Sequence, residues 1–493
     1  MKSVFLSKKN FEDLDLHFIF ERLQLVSPYG ERVKRRLEPI RKAEELEKIY
    51  MQLSAMCDLY QRFRPEMLEL KALLKDIKSL DTTFDRIAED EVLSVTELFE
   101  IKQMAMTMEK ILKVQQKLHF DKVVGAFVLC PLDAVIERLD PEHSGVSTFY
   151  IYATYSKRLT EIRQHLEMLD KGIKVKLGEQ VALLCAAGLP VSQNGELRVP
   201  IRNQALMEQA KSDARLYYRS DVPMYSLFHV KGDEALKSQK ETYLLLEEEE
   251  EYEIRKSISL SLKQDLSLLI DNTVQIGELD WLMAKAQFTI AFHLIKPQLT
   301  NEPYVEIING RHLKVAHSLE RSGKSFTNID VSLKKSVTLI TGANMGGKTV
   351  SLKMIGQVVA MAHYGFFVPC TSAKLPILDF IFVSVGDFQS IDMGLSTFGG
   401  EIVEIEQAIQ REQEFGLILI DELARGTNPI EGYAISKALI EHLSRQKSKV
   451  VITTHFDGLT QVPDTAHYQV NGLSGIDLEH MRDKIATEGA TLL

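Results

Sequence analysis

The sequence predicts a mixed fold, a helical domain with long helices and a small insert followed by an α/β domain built on a phosphate-binding loop. Three observations predict it. Residues 237–294 contain no proline and a single glycine, Gly277, as one or two very long helices would. The stretch 172–230 gathers Gly188-Leu-Pro190, Asn194-Gly195 and Val199-Pro200, turn formers that suit a partly extended insert. Gly342 to Thr349 reads G-x-x-x-x-G-K-T, between an apolar β-branched run and a helical pattern.

The 493 residues, 45% of them hydrophobic, allow about three domains with sizeable cores. Helical periodicity marks Glu44 to Tyr60, Val92 to Leu118 and Lys157 to Leu169. Expected boundaries are 1–170 for the first helical part, 171–236 for the insert, 237–298 for the long helices and 299–493 for the phosphate-loop domain. Asn194-Gly195, between Val191 and Leu197 to Val199, suggests a hairpin turn. Cys57, Cys130, Cys185 and Cys370 form no C-x-x-C pair, which argues against a zinc site and a disulfide framework and fits a reducing compartment. The start, Met1-Lys-Ser-Val-Phe-Leu-Ser-Lys-Lys9, lacks a signal-peptide core, and no run approaches 18 uncharged apolar residues. A soluble, cytoplasmic protein with no membrane partner is expected.

A net charge of −10 does not invite nucleic acid, but two local excesses exist. Arg32, Lys34, Arg35, Arg36, Arg41 and Lys42 crowd one stretch. Residues 171–240 hold eleven Lys/Arg against seven Asp/Glu, with Tyr217, Tyr218, Tyr225 and Phe228 interleaved. That stretch is either a solvated mixed surface or a nucleic-acid contact carried by Arg198, Arg202, Arg215 and Arg219. The acidic run Glu247 to Glu251 reads as a solvated helix face.

Within the loop, Gly346 and Gly347 let backbone N–H groups turn toward phosphate oxygens. Lys348 can reach the β- and γ-phosphates, and the Thr349 hydroxyl can ligate Mg²⁺. The nucleotide-binding set is Gly342, Asn344, Met345, Gly346, Gly347, Lys348, Thr349 and Val350. Ser336 to Ile340 is the expected buried strand before it, and Val350 to His363 the helix whose N-terminus would face the phosphates. Leu417 to Ile420 is a second apolar strand, ending in Asp421 and Glu422. Asp421 is placed to hold Mg²⁺, and Glu422 to orient and deprotonate the attacking water. Val450 to Thr454 is a third strand, ending at His455, a candidate γ-phosphate sensor at the carboxyl edge of the sheet. Ser396-Thr397-Phe398 precedes a helical pattern through Ile402, Ile405 and Ile409. It is either a simple helix cap or, as in P-loop ATPases of the ABC-like kind, a segment that completes a neighbouring subunit's site. ATP with Mg²⁺ is the expected ligand.

Thr341-Gly-Ala-Asn-Met-Gly-Gly-Lys-Thr349, Ser396-Thr-Phe398, Asp421-Glu-Leu-Ala-Arg-Gly-Thr-Asn428 and Thr453-Thr-His-Phe456 together resemble the ATPase domain of the MutS family. Ala343 stands where the family's loop has proline, which removes no ligand. Asn428-Pro-Ile-Glu-Gly432, Gly394 to Phe398 and Gly386-Asp-Phe-Gln-Ser390 look closer to the second MutS subfamily. Asp15 to Leu23, Ser27-Pro-Tyr-Gly30 and Leu37-Glu-Pro39 resemble the opening of the family's core domain. The resemblance implies a clamp at the insert, lever helices returning from it, and a homodimer closed through the ATPase domain and its C-terminal segment. It further implies Ser396, with Thr397, serving the partner's ATP, and Asn344 and His455 contacting phosphate or water. The family's mismatch-reading N-terminal domain and its C-terminal nuclease domain are expected to be missing.

Three functions fit this pattern. One is an ATP-gated dimeric clamp on DNA, mismatch-repair or recombination related. Another is an ATP-driven chaperone, since short MutS-like proteins resemble the partner subunit of reactivases for cobalamin-dependent aminomutases. It would take a client enzyme and a second subunit instead of DNA. The third, a structural dimer with a dead site, is disfavoured by intact Lys348, Asp421 and Glu422.

Overall fold

The computed structural model describes residues 4–343, 346–385, 397–424, 428–456 and 458–470, and the fold is mixed α/β. They form two compact units. One combines Met1–Asp76, Lys113–Val128 and Val274–Leu493, the other Ile77–Leu112 and Leu129–Thr273.

The first unit is organised by a five-stranded, wholly parallel sheet. Its spatial order is Thr465–Gln469, Val337–Thr341, Lys449–Thr453, Gly416–Ile420, Phe380–Ser384. The three central strands are apolar runs buried along nearly their whole length, as parallel strands covered on both faces must be. The helix Lys348–His363 is buried at almost every position. Gly356 lets it approach closely, since a Cβ there would lie 2.6 Å from Leu419 Cδ1. Gly416 plays the same part at the start of the acidic strand, where a Cβ would meet the Phe380 ring at 2.3 Å. A second sheet, Gln298–Thr300, Ser372–Pro376, Val305–Gly310 and Ile329–Leu333, is mixed in direction.

The N-terminal helices pack into this unit through specific bonds to buried backbone. Asn10 Nδ2 donates to Val383 O at 2.6 Å, Gln357 Nε2 to Leu14 O at 3.0 Å, and Tyr50 Oη to Ala362 O at 2.8 Å. Ser27 caps the helix Pro28–Arg35, accepting from Gly30 N, and its hydroxyl donates to the buried Asp280 carboxylate at 2.7 Å. Each such pairing satisfies a group that burial would otherwise leave costly.

The second unit contains the helices Lys157–Ala186 and Glu234–Leu262. They run antiparallel, as the pairs Arg163–Glu251, Arg163–Glu247 and Lys240–Asp170 require. The acidic run expected to be a solvated face is thus partly engaged: Glu247, Glu250 and Glu251 pair with Arg158 and Arg163. A 3-10 turn, Lys263–Asp265, leads from Glu234–Leu262 into Leu266–Ala291, so the proline-free stretch is two nearly continuous helices.

The insert is a three-stranded antiparallel sheet, Glu196–Pro200, Tyr225–Val230, Leu216–Val222, with the helix Gln204–Ser212. Its core joins Leu189, Leu197, Val199, Leu216, Phe228 and Val230. Asn194-Gly195 does make a tight turn, with Gly195 at φ +78 and its N–H bonded to Ser192 O. It does not join two paired strands: Leu197 to Val199 pair with Ser226 to Phe228, and Val191 joins the insert's core.

Candidate nucleotide site

The strand Val337–Thr341 delivers the chain to the loop, and Gly347, at φ +94, is the N-cap residue of the helix Lys348–His363. Gly342 sits at φ +138. A Cβ there would come within 3.0 Å of Val470 O, so glycine is needed for both conformation and space. Lys348, only 4% exposed, donates from Nζ to Gly342 O at 2.9 Å and lies 3.5 Å from Glu422 Oε1. The loop thus holds its lysine folded back across its own mouth, beside the acidic strand.

Thr349 Oγ1 donates to Asp421 Oδ2 at 2.8 Å. The adjacent strands Lys449–Thr453 and Gly416–Ile420 bring Thr453 to the same carboxylate, its Oγ1 donating to Asp421 Oδ1 at 2.6 Å. Asp421 N–H donates to Ser384 O and Glu422 N–H to Thr453 Oγ1, both at 2.8 Å. Glu422 and Ala424 stand at φ +52 and +64, left-handed values that cost a non-glycine residue of order 1 kcal/mol or more. Just past the strand end the backbone therefore turns sharply at Glu422, while Asp421 is still bonded through its N–H to the neighbouring strand at Ser384.

Gly342, Gly346, Gly347, Lys348, Thr349, Asp421 and Glu422 thus meet at the carboxyl edge of the parallel sheet, where Val350 continues the loop helix. His455 follows the same edge, exposed, its ring 4.6 Å from that of Phe456. Thr397 begins the helix Thr397–Ile409. Asn344, Met345 and Ser396 lie outside the described residues. Sequence reading did not single out Thr453 as a site residue. The signal was there, as a hydroxyl ending the apolar run Val450 to Ile452. Thr349 and Asp421 supply hard oxygen donors in contact, the donor chemistry Mg²⁺ takes. Among the described residues no group of three or more His, Cys, Asp or Glu side chains is placed to hold a metal ion.

The insert's four candidate arginines divide. Arg198 pairs with Glu196 and Arg215 with Asp213, each at 2.6 Å, and these pairings hold both carboxyls below their usual range. Arg219 is exposed with Nη1 3.0 Å from His229 Nε2, and Arg202 is exposed beyond the first strand. Tyr217, Tyr218 and Tyr225 stand open to solvent, whereas Phe228 is core. Among the described residues no helix is long and apolar enough to cross a membrane.

Residues 338–487 match the family described as MutS domain V. Endonuclease MutS2 of Shouchella clausii is 26% identical over 420 residues, 80% of this chain and 51% of that protein. Endonuclease MutS2 of Clostridium tetani is 37% identical over 223 residues, 44% of this chain and 27% of that protein. DNA mismatch repair protein MutS of Bacillus cytotoxicus is 34% identical over 240 residues, 47% of this chain and 27% of that protein. The chain spans at most about half the length of each of these three relatives.

Proposed function

We propose that this chain, which belongs to the MutS family, is an ATPase that uses hydrolysis to gate a dimeric clamp on DNA. The observation that carries the reading is the meeting of loop and acidic strand, Thr349 Oγ1 on Asp421 Oδ2 at 2.8 Å with Lys348 3.5 Å from Glu422. That is the arrangement phosphoryl transfer needs, which is mostly placed charge and an oriented water. Lys348 exchanges its present acceptor, the Gly342 carbonyl, for phosphate oxygens. Backbone N–H groups of the loop and the helix N-terminus add partial positive charge. Glu422, at the sharp turn just past the strand end, accepts the proton of the attacking water. Mg²⁺ bound with the nucleotide would offset charge on its β- and γ-oxygens, with Thr349 and Asp421 holding it. His455 senses the γ-phosphate, Asn344 contacts phosphate, and Ser396 with Thr397 completes the partner's site in a homodimer.

DNA is the proposed ligand because the relatives carry the names Endonuclease MutS2 and DNA mismatch repair protein MutS. The insert's exposed tyrosines and its arginines would lie along the phosphate backbone, which makes affinity salt-dependent. Steady-state ATP hydrolysis with and without duplex or branched DNA at low salt tests this. Stimulation by DNA supports the clamp. An ATPase indifferent to every DNA form directs the function to the remodelling of a client protein, such as a cobalamin-dependent aminomutase with its second reactivase subunit.

A further inference from the structure

Thr453 closes a strand whose preceding residues Val450, Val451 and Ile452 are apolar and buried. Its own side chain is fully buried, so the hydroxyl must find its partners in protein. It finds two, and both belong to the acidic pair on the neighbouring strand. Oγ1 donates to Asp421 Oδ1 at 2.6 Å and accepts from Glu422 N at 2.8 Å. The other Asp421 oxygen accepts from Thr349. Two threonines, one from the loop helix and one from the strand, therefore fix the plane of the carboxylate. At Glu422 the same hydroxyl ties down a backbone held at φ +52, a conformation that needs a stabilising contact.

We propose that Thr453 is a positioning residue for ATP hydrolysis, one hydroxyl setting both the orientation of Asp421 toward its metal and the aim of Glu422 toward water. The inference rests on the ATPase reading above but concerns a residue that reading does not require. It gives the loop strand's neighbour a part in the chemistry without touching nucleotide.

Thr453→Val keeps the β-branched shape and removes the hydroxyl; Thr453→Ser keeps the hydroxyl. The full chain would be assayed for phosphate release across ATP and Mg²⁺ titrations, with thermal melting and binding of ADP alone as controls. Thr453→Val should lower kcat about 10- to 100-fold, the scale of a lost hydrogen bond to a charged group. Its KM for ATP should move less than about threefold, the pattern of an interaction felt mainly in the transition state. Its half-saturating Mg²⁺ should rise, and Thr453→Ser should restore both readouts. Wild-type kcat and Mg²⁺ dependence in Thr453→Val overturn the proposal, as does a loss that serine fails to rescue. If Thr453→Val does not melt cooperatively, Thr453→Ser against Thr453→Ala decides, and equal kcat in those two overturns it. Glu422→Gln run alongside separates the levels. Wild-type turnover in Glu422→Gln sinks the ATPase mechanism and Thr453's part with it. An inactive Glu422→Gln beside an unaffected Thr453→Val removes only the positioning role.

Discussion

Replacing Glu422 by glutamine preserves volume and hydrogen-bonding reach while removing the base and its charge. Its carboxylate stands 3.5 Å from Lys348 Nζ, with side-chain exposures of 14% and 4%. At an effective dielectric of 20 the gross attraction across that gap is roughly 5 kcal/mol. Desolvation of two largely buried ions offsets most of it, leaving a net of about 1 kcal/mol. Lysine released from this partner is easier for phosphate to recruit, so ATP should bind Glu422→Gln as tightly as wild type or up to about fivefold tighter. Turnover should fall by at least about 10²-fold, the scale of a lost general base. A coupled phosphate-release assay gives kcat, and titration of a fluorescent ATP analogue gives Kd. Lys348→Ala makes the contrast, since it should weaken binding itself. A wild-type hydrolysis rate in Glu422→Gln would refute the base assignment, and tenfold weaker ATP binding would refute the competition of Glu422 with phosphate for Lys348.

Mixing Ser396→Arg protein with Lys348→Ala protein should restore activity in heterodimers, each of which keeps one intact composite site; demonstrated heterodimers without recovered activity would sink the shared-site dimer. Changing Arg198, Arg202, Arg215 and Arg219 together to Glu should abolish DNA binding, and single changes should each lower the salt slope by about one. Arg202 and Arg219 should matter most in gel-shift titrations, because Arg198 and Arg215 already hold carboxylates of their own. His363 is fully buried, its Nδ1 bonded to Val359 O and its Nε2 accepting from Leu378 N, and burial, with Arg41 nearby, lowers its pKa to about 4. The unfolded chain therefore binds the extra proton first as pH falls, so stability present above about pH 6.5 is lost progressively toward pH 4. Thermal melts of His363→Gln should show a shallower decline over that window; an identical decline would exclude His363 as its source.

What could be read from the sequence was whatever local pattern dictates. The strands Val337–Thr341, Gly416–Ile420 and Lys449–Thr453 announce themselves as apolar runs because a parallel sheet buried on both faces leaves no room for alternation. The loop residues announce themselves because phosphate chemistry tolerates few substitutes. Spatial order was another matter. Nothing local says that Lys449–Thr453 lies between the loop strand and the acidic strand, yet that placement brings Thr453 to Asp421. The left-handed turn at Glu422 was equally hidden, since glutamate carries no preference for it. In the insert, charge counting found arginines but not their partners. Glu196 and Asp213 sit two residues from Arg198 and Arg215, and only the strand and loop geometry turns those neighbours into ion pairs.

The edge strand Thr465–Gln469 has a consequence for communication. Val470 N–H bonds to Thr341 O, and Val470 lies close enough to Gly342 that no Cβ could stand between them. Gly342 in turn offers the carbonyl on which Lys348 rests. Three covalently distant points are thus joined: the end of the last described strand, the first glycine of the loop, and the Lys348 ammonium. A pull on the chain beyond residue 470 would be delivered to the lysine within a few bond lengths, and the lysine's own displacement would be felt at that strand in return.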